Sequence, residues 1–166
     1  MDRVFRVPAK GREQADLASK FRVVERYRAF VLLAGPAAAL EELRNQGYLA
    51  EDITDRYAIP GSVDDIDTSQ PRLDHEGEHQ HGAYVNAEPL PRGRHHYLVQ
   101  SKGPVKAAWL TAIEAAGGQP RYPYSDFTYV VRASKAAINR IVKLPSVRWV
   151  GHLRYADRVS PTVDGV

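Results

Sequence analysis

Five of the chain's six histidines fall between His75 and His96, and acidic side chains are interleaved with the first of them. His75, Glu76, Glu78, His79 and His81 carry donors of the kind that hold zinc or nickel. Their spacing matches no HExxH helix, in which two histidines one turn apart share a face with the metal. His75, His79 and His81 are therefore weak ligand candidates, and no bound metal is expected. A pH-sensitive segment is a second reading, because clustered imidazoles gain charge between neutral pH and about pH 5. A solvated loop is the plain one.

Hydrolytic chemistry would need a positioned serine beside a histidine and a carboxylate. His95, His96 and His152 are available, but no serine stands in a Gly-x-Ser-x-Gly turn. No glycine loop of the phosphate-cradling type occurs either, and Gly117-Gly118 reads as a helix stop. Cysteine is absent, which removes thiolate nucleophiles, thiolate metal sites and disulfides together. The expectation is a chain that is not an enzyme, has no cofactor and works by binding another protein.

The elements that would position such a surface are those of a soluble α/β chain. Hydrophobic residues make up 43% of the 166, and charged residues 26%, as in a globular protein. No apolar stretch reaches membrane-spanning length, and no apolar run follows the basic residues at the N-terminus, so no signal peptide is read there. Residues 1–60 carry ten Lys/Arg against nine Asp/Glu, residues 61–94 three against seven, and residues 95–166 ten against four. The basic residues of the last part are scattered, which argues against nucleic acid as partner.

The chain reads twice. Residues 4–7 and 97–100 each open a copy as a short strand, and each strand runs into a Lys-Gly pair. Helices are expected over 12–20, anchored by Leu17, and from Pro104 to Gly117, with Val105, Trp109, Ala112, Ile113 and Ala116 on one face. Strand pairs follow at 23–27 with 29–33 and at 121–124 with 127–131, where Pro120 and Pro123 favour a sheet edge. Second helices begin after Gly35-Pro36 and at Ser134, a good N-cap. Final strands are expected at 48–53 and 147–150.

This pattern predicts an α+β fold of two tandem ferredoxin-like βαββαβ modules, each a four-stranded antiparallel sheet with two helices on one face. The modules span 1–60 and 95–155, with an acidic, His-rich linker at 61–94 and an extended tail at 156–166. Phe127, Tyr129 and Trp149 could suggest an RNA-stacking sheet, but the third strand lacks the basic-aromatic consensus and reads as core.

The run His96-Tyr97-Leu98-Val99-Gln100-Ser101-Lys102-Gly103-Pro104-Val105, then Trp109, Phe127-Thr128-Tyr129-Val130-Val131-Arg132 and Val147-Arg148-Trp149-Val150-Gly151, resembles the N-terminal propeptide region of subtilisin-like serine proteases. The resemblance covers 95–155 and is weaker over 1–60. It implies a ferredoxin-like inhibitor and folding chaperone, secreted with its protease, whose partner is the protease catalytic domain. Three contacts would follow: the outer sheet face on the enzyme's helices, Asp126 capping helix N-termini there, and the tail in the substrate cleft. The tail residues are Tyr155, Ala156, Asp157, Arg158, Val159 and Ser160. The family's catalytic Asp, His-Gly-Thr and Gly-Thr-Ser motifs are missing here, and no nucleic acid or membrane partner is expected.

Overall fold

A computed structural model describes residues 2–60, 66–69 and 93–153. The chain divides into two units, Met1–Tyr57 and Ala58–Val166. Among the described residues the fold is α+β, with two four-stranded antiparallel sheets and four α-helices.

In the first unit the elements are β1 (Arg3–Pro8), α1 (Arg12–Lys20), β2 (Arg22–Arg26), β3 (Phe30–Gly35), α2 (Ala39–Asn45) and β4 (Glu51–Asp52). Their order in the sheet is β2-β3-β1-β4. The period of two along a strand brings Phe5 and Val7 of β1 and Val31 and Leu33 of β3 to one face, where Leu17 of α1 and Leu43 of α2 close over them. Helix α1 is otherwise polar, and Gln14 explains how it still docks. Its buried Nε2 donates to the carbonyls of Ala9 and Tyr27 at 2.8 and 2.7 Å, so the amide is satisfied inside the core.

The strand expected over 48–53 is only two residues long. Tyr48 packs partly against the core instead, and the Asp52 side chain stops the ladder by turning the chain. Asp52 Oδ1 accepts from the Thr54 amide at 2.9 Å and its hydroxyl at 2.6 Å, an Asx-type turn. Thr54 Oγ1 in turn accepts the Val4 amide at 2.9 Å, taking the place of a further strand partner.

The second unit holds β5 (Arg94–Ser101), α3 (Ala107–Ala115), β6 (Gln119–Ser125), β7 (Thr128–Ser134), α4 (Lys135–Ile141) and β8 (Val147–His152), in the sheet order β6-β7-β5-β8. Strand β6, with its two prolines, is an edge strand, where missing N–H groups cost least. Tyr97, Val99, Val131, Ala133 and Val150 pack against Ile113 of α3 and Ala137, Ile138 and Ile141 of α4. Ser134 caps α4, its Oγ accepting the Ala137 amide at 3.1 Å.

Helix α3 departs from expectation at its start. Pro104 is not its first residue; the helix begins at Ala107, after an extended Lys106. Ile113 of this helix is in the core and Leu110 packs against it, while Trp109 is half-buried outside that cluster. The helix does stop at Gly117, whose φ of 103° suits glycine. Gly118 has a different reason: a Cβ there would lie 2.8 Å from Ile141 Cδ1 and 2.9 Å from both Ile113 Cγ2 and Val131 Cγ1.

Gly118→Ala should therefore overpack the junction of α3, α4 and β7, with an expected loss of about 1–3 kcal/mol in urea unfolding of the whole chain. A second expectation concerns Asp52. Burial alone would raise its carboxyl, but hydrogen bonds from Arg3 (Nε to Oδ2, 2.7 Å) and Thr54 outweigh this and hold it below the ordinary value. A depressed folded-state pKa stabilises the fold above the unfolded value, and that contribution fades as pH falls through about 4 and lower. Asp52→Asn should flatten this acid limb of the urea midpoint measured against pH.

Candidate functional site

The second sheet has a further layer on the face opposite its helices. Strand alternation brings Leu98 and Gln100 of β5 and Thr128 and Val130 of β7 to that side. On β8 the register passes from Gln100↔Trp149 to Ser101↔Val147, so Arg148 is an extra residue in a bulge. Val147 and Val150 both remain in the helix-side core, and Trp149 lies in the opposite cluster with Leu98 and Val130. Arg148 reaches that opposite side too, with its Nη1 2.8 Å from Gln100 Oε1.

Residues at the start of the second unit cover this face. Ile59 and Ile66 exchange backbone hydrogen bonds of 3.0 and 2.6 Å and are buried against Leu98, Val130, Trp149 and Leu153. Two side chains of the sheet pin the covering chain. Tyr124 donates its hydroxyl to the Pro60 carbonyl at 3.1 Å. Arg148 Nη1 donates to the carbonyl and Oγ1 of Thr68 at 3.0 and 2.6 Å. Part of the segment expected as a linker thus belongs to the second unit's core.

A line of buried polar groups runs beneath. Gln100 and Thr128 are fully buried, and Gln100 Nε2 donates to Thr128 Oγ1 at 3.2 Å. Thr128 Oγ1 in turn donates to the backbone carbonyl of Asp126 at 3.1 Å. The line therefore connects Arg148 and Thr68 to the turn between β6 and β7. In that turn Phe127 has a φ of 63°, a left-handed conformation that costs a non-glycine residue about 1–2 kcal/mol. Burial of its side chain opposes this cost, and Asp126 beside it is exposed at the tip.

Trp149 Nε1 and Ser125 Oγ are buried without a partner among the described residues. On the helix side the Tyr97 hydroxyl is likewise unpartnered, and burial raises its pKa. His152 packs edge-on against the Tyr97 ring, with centroids 5.1 Å apart, so it serves as a buried aromatic neighbour. His95 and His96 lie on β5. Among the described residues no three His, Asp or Glu side chains come together to hold a metal ion. The same residues contain no helix long and apolar enough to cross a membrane.

Of the residues expected to contact a partner, Asp126 is placed at an exposed turn. His75, His79 and His81 lie outside the described residues, as do Tyr155, Ala156, Asp157, Arg158, Val159 and Ser160. Sequence reading missed Arg148, Gln100, Thr128 and Thr68. A polar pair alternating with apolar residues on two inner strands was the available signal, and it reads as an ordinary solvated face.

The chain belongs to the family described as Domain of unknown function (DUF8729), whose model matches residues 61–154. That stretch takes in Ile66 and Thr68 of the covering layer together with the whole second sheet. No curated protein matches the chain, and no solved structure does.

Arg148→Ala would leave Gln100 Oε1 and the Thr68 carbonyl without their cationic donor. The expected loss is about 1–3 kcal/mol in urea unfolding, with faster amide exchange at Ile59 and Ile66 than elsewhere in the unit.

Proposed function

We propose that the chain is a non-catalytic binding protein of two ferredoxin-like modules. In this reading the second module engages a subtilisin-like protease as that family's propeptides do, and the chain acts where the protease is secreted. The observation that carries the reading is Asp126. It is an exposed carboxylate at a tight turn, backed by the hydrogen-bond line from Arg148, and it is one of only two acidic residues between 93 and 153. An exposed anion on a turn whose backbone is held in this way suits the positive end of a helix on a partner. The strand orders β2-β3-β1-β4 and β6-β7-β5-β8 also support the ferredoxin-like assignment.

One observation favours a second reading, a protein-binding or regulatory module with an unrelated partner. The outer sheet face, which the resemblance would lay against the enzyme's helices, is covered in the second unit by Ile59, Ile66 and Thr68. The protease reading therefore rests on the Asp126 turn and on the chain after Leu153, which would add to the substrate cleft as a strand.

Inhibition of a panel of subtilisin-like proteases, with and without preincubation, separates the two. Tight, slowly relieved inhibition of a subset is expected. Asp126→Ala should weaken it roughly tenfold, the scale of a charge–helix-end contact in a partly buried geometry, with the urea midpoint unchanged. Removal of the residues after Tyr155 should weaken it further while the fold persists. Digestion of the chain by every protease, with no inhibition, would reject the protease reading and leave the binding module.

A further inference from the structure

At one end of the second sheet the face opposite the helices is open, and the residues gathered there are basic. Arg132 of β7 stands opposite Gln119 of β6 on one side and His96 of β5 on the other. Arg94 lies two residues before His96 and so on the same face, one diagonal from Arg132, about 7–8 Å away in ordinary sheet geometry. Tyr122 is opposite Val130, which puts its ring on this face too, two positions along from Arg132. Arg121 is the extra residue of the β6 bulge between Pro120 and Tyr122.

Arg94, Gln119, Arg121 and Arg132 are exposed, and Tyr122 keeps half of its surface in water. The three guanidinium groups make no hydrogen bond, ion pair or ring contact among the described residues. Between residues 93 and 153 the acidic side chains are Glu114 and Asp126. Glu114 is on α3, which covers the other face, and Asp126 is in the turn at the far end of β7, so neither offsets the arginines. The arginines are scattered along the sequence; the strand order β6-β7-β5 brings them together. Like charges side by side on a sheet cost stability, and an anion from outside relieves that cost.

The kind of anion follows from the rest of the patch. A protein interface keeps apolar residues at its centre and charge at its rim. Here the centre is Arg132, while the apolar neighbours Leu98 and Val130 are already covered. Nucleic-acid interfaces are the strongly basic kind. A half-exposed tyrosine on a sheet surface is a platform for an unpaired base, with arginines beside it for phosphates and the Gln119 amide for a base edge.

We infer that this end of the outer sheet face binds single-stranded nucleic acid. The inference uses neither Asp126 nor the tail, so it stands apart from the protease reading.

The test follows the fluorescence anisotropy of labelled oligouridylate and oligothymidylate, each of about a dozen nucleotides, as the full chain is added. At least one strand is expected to bind saturably, and more weakly as salt is raised. Arg94→Ala with Arg132→Ala should weaken binding roughly tenfold and lower the slope of log affinity against log salt by about one. Tyr122→Ala should weaken it roughly tenfold with the salt slope kept, and Tyr122→Phe should restore it. Arg12→Ala with Lys20→Ala removes the same charge from exposed positions of α1 and should change little. Unchanged urea midpoints show that the variants are folded. No binding of either strand, or equal loss in the two double variants, would overturn the inference. Full binding by Tyr122→Ala would do the same, as would tighter binding of a glutamate-rich peptide of equal charge, which assigns the arginines to an acidic protein.

Discussion

Leu98 and Val130 would meet water on any antiparallel sheet covered by helices on one side alone. In the second unit they do not, because Ile59 and Ile66 lie over them. Burying four such side chains fully is worth about 1.5–3 kcal/mol each relative to exposure. The unit is consequently a three-layer structure, with helices, sheet and covering chain, and the central strands β5 and β7 are buried on both faces. The prolines and the bulges of the sheet lie in its edge strands β6 and β8, as a doubly buried centre requires.

This arrangement forces a solution for Gln100 and Thr128, whose polar groups are sealed in with the apolar ones. An unpaired buried amide or hydroxyl costs as much as a large apolar side chain gains. The β8 bulge supplies the answer by bringing Arg148 to the same side, and Arg148 in turn binds Thr68 of the covering chain. One irregularity in an edge strand thus satisfies the inner polar groups, fastens the third layer and, through Thr128, holds the carbonyl of the Asp126 turn.

The first unit reaches stability by another route. Its helix α1 has little apolar surface and docks through Leu17 and the buried amide of Gln14. Its last strand is closed by the Arg3–Asp52–Thr54 group, not by a long ladder. Its charges nearly balance, whereas the second unit's described residues are strongly basic. Two copies of one element order therefore present surfaces of different charge. The family match over residues 61–154 falls on the second copy.

Much of the element plan was legible in the residues. Alternation marked the strands, Leu17 marked a helix face, and Ser134 and Gly117 marked helix ends, because each of these effects acts within a few neighbours along the chain. The length of β4, the start of α3 and the reason for Gly118 were not, since they depend on a side chain turning back on the backbone or on atoms from three elements meeting. The exposed Asp126 was readable from its turn, but what steadies it was not. Gln100, Thr128, Arg148 and Thr68 are up to 80 residues apart in sequence, and alternating polar residues look alike whether the face they line is wet or covered. Local chemistry fixed which segments become strands and helices; only the tertiary fold decided that a stretch resembling a linker would close the second sheet, because that choice lies in which distant surfaces exclude water together.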